Sequence, residues 1–386
     1  MNDNVSALDA QSNCDQDISG KITDADVAPL LQPLRLSSGL ELSNRVVMLP
    51  MTRNRANIDG TANELMRTYY AQRASAGLII AESTSISPHA RGYFGAPGIY
   101  NKAQTQSWAA ITDAVHTRGG RILLQINHYG RCSSRFMLPD GALPVAPSGV
   151  GISRKSRLVT IACPRVTPYD KPRALDTAEV EALVQDFRRA TQRAFTAGFD
   201  GVEIHGDSGY LIQQFLSSNV NRRTDRYGGS IENRARFLLE VVEAAASVRS
   251  SAYVAVKLTP GWNLHEIEEE QTQELYAHIA DRLNAIDPAF VHIFDATGLD
   301  SDLYSSFRQR FQGLMLAEAN LTVESSAQAI AAGKADMAGF GRSFISNPDL
   351  PQRIARGTPL TKPDAETFYT PGAEGYTDYP SLEDPV

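Results

Sequence analysis

The stretch from Asp176 to Ala245 carries the pattern that decides the fold: DTAEVEALVQDFRRATQRAFTAGFDGVEIHGDSGYLIQQFLSSNVNRRTDRYGGSIENRARFLLEVVEAA. Its first part has apolar residues at helical spacing, namely Val180, Leu183, Val184, Phe187 and Ala194. The run Gly201–Ile204 is short and apolar, which is typical of a parallel strand buried on both faces. A second helical stripe follows within Ile231–Ala245, with Ser230 as its predicted N-cap. The stretch is therefore one strand between two helices.

The same alternation continues in both directions along the chain. Seven further runs have the length and composition of buried strands: Arg45–Met48, Gly77–Ala81, Arg121–Gln125, Tyr253–Leu258, Phe290–Phe294, Gly313–Ala317 and Met337–Phe340. Helical signals lie between them, such as the stripe of Trp108, Ile111 and Val115, and Thr322 as the N-cap of Val323–Ala332. Eight strands that are each followed by a helix predict an α/β fold, a single-domain (β/α)8 TIM barrel.

The competing architecture is an open, doubly wound sheet. That fold would place a G-x-G-x-x-G turn after the first strand, but the first strand runs into Leu49-Pro50-Met51-Thr52-Arg53. The segment Ile126–Leu175 exceeds an ordinary connection, so we expect a long capping loop or hairpin after strand 3. Residues 1–26 are polar and predict a disordered tail before a barrel that spans residues 27–386.

The composition of the 386 residues excludes several classes of protein. Charged residues make up 21% and hydrophobic residues 42%, so the chain is neither wholly disordered nor fibrous. The net charge is −7 with no basic tail, so we expect no nucleic-acid partner. No apolar run is long enough to cross a membrane, and the polar N-terminus does not resemble a signal peptide. Three cysteines without a C-x-x-C spacing favour a reducing, cytoplasmic location. Both a monomer and a homodimer remain open.

Polar residues follow each predicted strand and would share one face of a barrel, where chemistry takes place. A divalent metal would need several converging Asp, Glu or His ligands. The candidates are scattered over several strands: Glu82, His128, His205, Asp207, Asp295 and Glu318. Metal-assisted hydrolysis is therefore a minor alternative.

The last predicted strand ends in Gly339-Phe340-Gly341-Arg342. The loops after strands 7 and 8 are where TIM barrels bind phosphate. The backbone N–H groups of Gly341 and Arg342, together with the guanidinium group, suit a phosphate at this position. The alternative is a plain turn with a surface arginine, and the position of the loop favours phosphate.

The chain resembles the Old Yellow Enzyme family of flavin-dependent ene-reductases from about Leu31 to Pro380. The most specific of the matching stretches is Asn221–Arg234, NRRTDRYGGSIENR. The others are Leu49–Arg53, Gly201–His205 leading into Gly209–Leu211, and the pair Gly339–Pro348 and Gly375–Pro380. The resemblance implies non-covalently bound FMN that accepts a hydride from NAD(P)H. It also implies hydride transfer to the activated C=C bond of an enone-like small molecule.

The resemblance also assigns residues to the cofactor. Those expected to bind FMN are Pro50, Met51, Thr52, Ser83, Gln125, His205, Lys257, Asn320, Gly339, Gly341 and Arg342. Among them, Lys257 would face the flavin pyrimidine, and Gly341 with Arg342 would hold the phosphate. FMN supplies redox chemistry that no side chain offers.

The catalytic residues implied by the resemblance are His205, Tyr210 and Ser208. His205 would hydrogen-bond the substrate carbonyl oxygen, and a neutral imidazole N–H can stabilise the charge that develops there. Tyr210 would donate a proton to the α-carbon as a general acid. Asn127, Tyr93 and Tyr376 would line the substrate pocket.

Several positions depart from the family pattern. Ser208 stands where an Asn or His is usual, which puts the second carbonyl donor in doubt and favours a changed substrate preference; replacement of the donor by water is the alternative. Asn127 replaces a common Trp, so we expect a wider and more polar pocket. Lys257 replaces the usual Arg, so it keeps the positive charge but lacks the bidentate hydrogen-bonding geometry of a guanidinium group. Ala319 stands where Gly is common and could crowd the phosphate.

Other residues are expected to be structural. The stretch Asn221–Arg234 would shape the barrel rather than react, and His128 is interpreted as a structural histidine. The remaining histidines are expected at the surface or in packing: His89, His116, His265, His278 and His292. The thiol of Cys132 is assigned no role.

Three alternatives to an ene-reductase remain open on the sequence. The departures at Ser208 and Asn127 are compatible with a specialised flavin-dependent desaturase or isomerase of a biosynthetic intermediate. A flavin-free Schiff-base lyase could use Lys257 as its nucleophile, because such a lysine can end a barrel strand. A non-catalytic flavin-binding protein is disfavoured by the presence of His205 and Tyr210.

Overall fold

The computed structural model describes residues 24–153, 157–158 and 167–382. Eight parallel strands form a closed barrel. They are β1 (Val46–Met48), β2 (Leu78–Ser85), β3 (Ile122–Asn127), β4 (Gly201–Gly206), β5 (Val254–Leu258), β6 (Phe290–Phe294), β7 (Met315–Glu318) and β8 (Met337–Phe340). The barrel closes where β8 pairs with β1, with Ala338 opposite Val46 and Phe340 opposite Met48. The predicted (β/α)8 TIM barrel is confirmed.

Helices surround this barrel. They are α1 (Asp24–Leu31), α2 (Glu64–Gln72), α3 (Lys102–Thr117), α4 (Thr177–Thr196), α5 (Leu211–Leu216), α6 (Ile231–Ala246), α7 (Thr272–Ile286), α8 (Asp302–Arg310), α9 (Val323–Ala331), α10 (Arg342–Ser346) and α11 (Leu350–Arg356). Within the described ranges, none of the helices has both the length and the apolar character needed to span a membrane.

Local sequence signals explain where the long helices begin. Asp176 caps α4 through a capping box, in which its carboxylate accepts a hydrogen bond from the Glu179 N–H at 2.7 Å. The predicted N-caps Ser230 and Thr322 likewise begin α6 and α9. The apolar faces of these helices are buried against the barrel, with Phe187 fully inaccessible. These starts therefore follow from capping and amphipathic periodicity together.

The strands extend further towards the carboxyl end of the barrel than the apolar runs predicted. Strand β2 continues to Ser85, β3 to Asn127 and β4 to Gly206. Their last residues are polar but buried, because alternate positions face the barrel interior. The parallel register places His205 of β4 beside Lys257 of β5, and Lys257 beside His292 of β6. Pairing between strands thus brings polar side chains from distant parts of the chain together.

The long segment after β3 contains the expected hairpin. Arg157–Leu158 pairs in antiparallel fashion with Thr167–Pro168, and Val145–Ala146 pairs with Arg173–Ala174. Most of the predicted disordered tail, residues 1–23, lies outside the described residues, and α1 begins at Asp24.

The family-specific stretch Asn221–Arg234 makes structural contacts. The Asn221 amide donates hydrogen bonds to the carbonyl oxygens of Phe215 at 2.8 Å and Tyr227 at 2.7 Å. Arg223 donates to the carbonyl oxygen of Pro147 at 3.0 Å in the long loop after β3. These bonds tie that loop to the connection after α5, so the structural interpretation of this stretch agrees with its contacts.

Three buried arginines, Arg53, Arg55 and Arg73, fix the C-terminal segment to the barrel. The guanidinium group of Arg55 donates hydrogen bonds to the carbonyl oxygens of Phe368 at 2.8 Å, Thr367 at 2.9 Å and Glu374 at 3.1 Å. Because most of the bonds that Arg55 makes to it are directed at backbone, this segment is held in place largely by guanidinium groups rather than by secondary structure.

We expect Arg55→Met to lower the free energy of unfolding by roughly 3 kcal/mol or more, because several buried carbonyl oxygens lose a charged donor. Urea unfolding and limited proteolysis of residues 365–377 measure the effect. Arg67→Met is the matched control, since Arg67 makes an exposed pair with Glu64, and its effect should stay below about 1 kcal/mol. Equal effects of the two variants would contradict this account of the segment.

Candidate active site

Six ionisable side chains towards the carboxyl ends of the strands form a continuous chain of contacts, which we call the strand-end ion chain; all are buried except Glu318, whose side chain is 23% exposed. Its members, in order of contact, are Glu203, His292, Glu318, Lys257, Asp207 and His205. The closest approaches at its centre are 2.7 Å between Lys257 Nζ and Glu318 Oε2 and 3.3 Å between Lys257 Nζ and Asp207 Oδ2. The chain therefore links residues of β4, β5, β6 and β7 on one face of the barrel.

The ionisable groups of the strand-end ion chain shift one another's pKa values. Burial lowers the pKa of Lys257, but the carboxylates of Asp207 and Glu318 outweigh burial and hold that pKa well above its usual range. Burial raises the pKa of Glu318, but Lys257 and His292 outweigh it and lower the pKa to about 2. Lys257 is therefore an ammonium ion between two carboxylates. An amine nucleophile must be neutral, so this geometry argues against the Schiff-base alternative.

His292 and Glu203 are components of the site that sequence reasoning did not assign to it. His292 is fully buried, with Nδ1 2.9 Å from Glu203 Oε1 and Nε2 2.9 Å from Glu318 Oε2. Burial lowers the pKa of His292, but the two carboxylates outweigh it and raise the pKa. The available signal was the position of Glu203 and His292 inside buried strands, where a charged residue requires a partner.

Gln125 extends the chain towards the predicted flavin contacts. Its amide nitrogen donates to Glu203 Oε2 at 2.7 Å, while its buried Oε1 lacks a hydrogen-bond partner among the described residues. The same holds for His205 Nδ1 and Thr259 Oγ1, at the ends of β4 and β5. Buried polar atoms without partners are uncommon and indicate a polar ligand. A flavin pyrimidine, which offers one N–H donor and two carbonyl acceptors, fits the Gln125 acceptor and the Lys257 donor.

A cluster of tyrosines covers the other side of His205. The hydroxyl oxygens of Tyr210 and Tyr93 are 3.4 Å apart, and the rings of Tyr210 and His205 are 5.0 Å apart between centroids. Burial raises the pKa of Tyr210 well above its usual value, with further contributions from Tyr93 and Tyr129. Tyr210 is therefore a neutral phenol beside the histidine, the state required of a proton donor.

Tyr129 is the residue of this cluster that the sequence reasoning missed. Its hydroxyl group donates to Ser83 Oγ at 3.1 Å, and its ring meets that of Tyr210 edge-on at 4.5 Å. Asn127 is 1% exposed and donates to the same Ser83 oxygen at 3.0 Å. Asn127 is thus covered and hydrogen-bonded in this structure, and the expected wider pocket beside it stays a prediction. The available signal in the sequence was a large aromatic residue, Tyr129, two positions after Asn127.

The assignment of Tyr376 to the substrate pocket is wrong. Its side chain is fully buried, stacked on Tyr69 at 4.1 Å, and Arg55 lies 4.8 Å from its ring centroid. Tyr369, in the same C-terminal segment, is only partly buried. Burial raises the pKa of Tyr369, and the nearby cations Arg53 and Arg342 oppose that shift. Tyr369 is thus the tyrosine of this segment that lies near the predicted phosphate residue Arg342.

Ser208 sits in a strained turn between His205 and Tyr210. Its φ of 58° lies in the left-handed region, and its carbonyl oxygen is 2.8 Å from His265 Nδ1. The following Gly209 N–H donates to Gln213 Oε1 at 2.7 Å. These bonds fix the turn that connects the histidine to the tyrosine.

The loop after β8 brings the remaining predicted cofactor residues together. A Cβ at Gly339 would lie 2.4 Å from Leu49 Cδ2, so glycine is required there by packing. A Cβ at Gly341 would lie 3.5 Å from Met51 Sδ, which places Met51 beside this loop. Arg342 is the first residue of α10. Pro50 and Thr52 follow β1 and are partly buried, and Asn320 follows β7 at the surface.

The other carboxylates considered as metal ligands have structural partners. Glu82 accepts a hydrogen bond from the Tyr70 hydroxyl group at 3.2 Å, and Asp295 accepts one from the Thr297 N–H at 2.8 Å. In the part of the chain that the structure describes, no group of three or more His, Cys, Asp or Glu side chains is arranged to hold a metal ion.

With this geometry established, the chain can be compared with known proteins. Residues 29–361 match the model of the NADH:flavin oxidoreductase / NADH oxidase family. The chain belongs to this FMN-dependent family of oxidoreductases, and the predicted family and cofactor are confirmed.

Individual relatives agree with this assignment. The chain is 39% identical over 380 residues to 12-oxophytodienoate reductase 7 of Oryza sativa subsp. japonica, covering 93% of this chain and 96% of the relative. It is 39% identical over 358 residues to a probable flavin mononucleotide-dependent alkene reductase of Leishmania infantum, covering 92% and 97%. Among solved structures, morphinone reductase in complex with tetrahydroNAD is 43% identical with a TM-score of 0.88, covering 92% of this chain and 99% of that one.

We expect Glu318→Gln to lower the free energy of unfolding at pH 7 by a few kcal/mol. The pKa of Glu318 is depressed in the folded state, so its contribution is present above the unfolded pKa near 4.5 and is lost as the pH falls towards 2. Urea unfolding should show the gap between variant and wild type narrowing by roughly half from pH 5 to pH 3.

Asp281→Asn provides the matched control for this measurement, because Asp281 pairs with Arg310 in a half-exposed position. Its effect should stay below about 1 kcal/mol throughout. A Glu318→Gln gap that does not change with pH would mean that the carboxylate charge is not what stabilises the strand-end ion chain.

Proposed function

We propose that this enzyme transfers a hydride from NADH or NADPH, through FMN, to the activated C=C bond of an α,β-unsaturated carbonyl compound. The observation that carries the proposal is the placement of His205 and Tyr210 side by side, 5.0 Å between ring centroids, at the strand ends of an FMN-family barrel. One group can bind a carbonyl oxygen and the other can deliver a proton.

The predicted FMN-binding residues match the chemical parts of FMN, from its pyrimidine edge to its phosphate. Gln125 and Lys257 would hold the pyrimidine edge, Thr52 and Ser83 would contact the ring, and Gly341 with Arg342 would hold the phosphate. When bound, FMN supplies the acceptance and delivery of a hydride. We propose the remaining assignments of Pro50, Met51, Asn320 and Gly339 as neighbours of this cofactor rather than as reacting groups.

His205 stabilises the charge that the reaction creates. Addition of a hydride to the β-carbon of an enone moves the C=C electron pair towards the carbonyl oxygen. An N–H donor in a buried site is most effective where that negative charge appears, because little water competes with it. His205 is 6% exposed, and its Nδ1 atom has no partner among the described residues, so it can take this role.

Tyr210 completes the reduction by giving its phenolic proton to the α-carbon. The α-carbon of an enolate is a strong base, so a neutral phenol is an adequate acid for it. The Tyr93 hydroxyl group, 3.4 Å from that of Tyr210, can donate a hydrogen bond to the phenolate that results.

The names of the relatives support a C=C bond as the target. Those relatives are called 12-oxophytodienoate reductase, alkene reductase and morphinone reductase. A specialised desaturase or isomerase remains the alternative within the same family, and rapid turnover of simple enones would remove it. A cytoplasmic location, a monomeric or homodimeric state and the use of NADPH as a hydride donor also remain proposals.

We expect Tyr210→Phe to slow the enone-dependent reoxidation of the reduced enzyme about 10²- to 10⁴-fold, because the acid is lost. Anaerobic reduction of the flavin by NADPH should change by no more than about threefold, since that step needs no acid. Stopped-flow absorbance of the two half-reactions with 2-cyclohexenone measures both rates.

Tyr304→Phe controls for the loss of a buried hydroxyl group, because the Tyr304 hydroxyl group donates only to the Lys334 carbonyl oxygen at 3.1 Å, away from the site. It should leave both half-reactions unchanged. If Tyr210→Phe reoxidised as fast as the control, Tyr210 would not be the proton donor.

We expect Arg342→Met to raise the dissociation constant of FMN at least about tenfold, because a charge-assisted contact to phosphate contributes roughly 1.5–3 kcal/mol. Titration of the apoprotein with FMN, followed by quenching of flavin fluorescence, gives the constant. Arg356→Met removes an exposed arginine at the end of α11 and should bind FMN normally. If Arg342→Met bound FMN with wild-type affinity, the FMN phosphate would not be held by the loop after β8.

A further inference from the structure

His205 is in contact with a carboxylate that the proposed reaction does not use. Its Nε2 atom lies 2.5 Å from Asp207 Oδ1, and both residues are buried, with 6% and 1% of their surface exposed. Burial raises the pKa of Asp207, but the charges of His205 and Lys257 outweigh burial and hold that pKa well below its usual range. Asp207 is therefore a buried anion directly against the imidazole ring.

The charge balance of the strand-end ion chain indicates which state of His205 it requires. The chain contains three carboxylates, Glu203, Asp207 and Glu318, against the Lys257 ammonium ion. His292 supplies a second positive charge, because both of its nitrogens face carboxylates. One negative charge then remains, and a buried uncompensated charge is strongly unfavourable. Of the six members of the strand-end ion chain, His205 is the one left that can neutralise this negative charge.

The geometry leaves one nitrogen of His205 for a ligand. Asp207 Oδ1 lies 2.5 Å from Nε2 as an ion-pair contact, although neither of these atoms makes a hydrogen bond, whereas Nδ1 is buried with neither an ion-pair nor a hydrogen-bond partner among the described residues. In a neutral imidazole that gives its proton to Asp207, Nδ1 would be an acceptor and would repel a carbonyl oxygen. In an imidazolium ion, Nδ1 carries a proton and can donate.

We propose that Asp207 is a positioning residue that keeps His205 as an imidazolium ion, so that Nδ1 presents a charged donor to the substrate carbonyl oxygen. This inference rests on the proposed function for its substrate, but the protonation of His205 is a property of the protein itself. The imidazolium ion keeps its proton throughout. The hydride adds to the β-carbon, the electron pair moves to the oxygen, and the proton on the α-carbon comes from Tyr210.

The proposal accounts for the departure at Ser208. The resemblance predicts a second donor at that position, and Ser208 instead occupies a left-handed turn whose carbonyl oxygen faces His265. Hydrogen bonds from ionised donors are roughly twice as strong as neutral ones. One imidazolium donor can therefore replace two neutral donors on the same oxygen.

Other charged and titratable groups surround His205 and bear on its protonation. Lys257 on β5 opposes a second positive charge, but it is held by both Asp207 and Glu318. Tyr210 and Tyr93 lie on the other side and are neutral phenols with raised pKa values. His265 packs on the Tyr210 ring, and burial lowers its pKa to about 4, so it is uncharged at neutral pH. Asp207 is thus the anion in direct contact with His205.

The test is a long-range ¹H–¹⁵N correlation spectrum of the FMN-loaded enzyme labelled with [¹⁵N]histidine, recorded at pH 7. Loss of one signal set in His205→Gln identifies the resonances of His205. We expect both ring nitrogens of His205 to be protonated in the wild type, and only one in Asp207→Asn. A singly protonated His205 in the wild type, or a doubly protonated one in Asp207→Asn, would overturn the proposal. The wild-type spectrum alone is decisive if the variant does not fold.

Asp200→Asn is the matched control, because Asp200 contacts another histidine, with its Oδ2 atom 3.0 Å from His116 Nε2. This substitution should change the His116 signals and leave those of His205 unaltered. A change at His205 in this control would mean that its protonation follows the net charge of the protein rather than the contact with Asp207.

The kinetic consequence separates this inference from the proposed function. In Asp207→Asn we expect reoxidation by 2-cyclohexenone at pH 7 to slow at least about tenfold, and to slow more than NADPH-dependent flavin reduction does. The wild-type reoxidation rate should fall with rising pH, and this fall should move to lower pH in the variant. An unchanged pH profile would contradict the assignment. If the expected NMR spectra were found but the enzyme reduced no enone, the positioning role of Asp207 would be supported. The proposed function would then be overturned by the lack of enone reduction.

Discussion

The ammonium group of Lys257, held between Asp207 and Glu318, is the interaction on which the active face of this barrel depends. Three carboxylates lie in a small volume, two of them, Glu203 and Asp207, fully buried, and they can be accommodated there only if cations lie among them. Lys257 and His292 meet that requirement from adjacent strands, in register with His205. The same contacts argue against amine chemistry at Lys257, and nearby polar atoms, Gln125 Oε1 and Thr259 Oγ1, lack hydrogen-bond partners among the described residues.

Parts of this architecture could be predicted from the sequence because they are local. The helix starts at Asp176, Ser230 and Thr322 follow from capping residues, and the strand positions follow from apolar runs. The strand ends were predicted too short because Asn127 and His205 are polar yet buried. The strand-end ion chain was not predicted because its members lie far apart in sequence and meet only when the barrel closes. Asp207 and Glu318 were noted as scattered carboxylates, and the strand register shows that they share one lysine.

The pocket illustrates the same limit. The sequence places Asn127 at a strand end and suggests extra space there, but it does not show that Tyr129 lies against Ser83 and Tyr210. Likewise, Tyr376 and Tyr369 are close in sequence, yet one is stacked in the core and the other lies near Arg342. Side chains in irregular segments have no periodicity that would tell buried from exposed positions. The family therefore sets the reaction class, and the contacts of this chain set the chemistry of its pocket.

We propose that the strand-end ion chain and the tyrosine cluster together enclose the flavin and its substrate. A crystal structure of the FMN complex with a bound carbonyl ligand tests it most directly. The account predicts the flavin pyrimidine against Gln125 and Lys257, the phosphate at Gly341 and Arg342, and the ligand oxygen on Nδ1 of His205 with Asp207 still on Nε2. A flavin bound away from Lys257, or a ligand oxygen that does not contact His205, would contradict it.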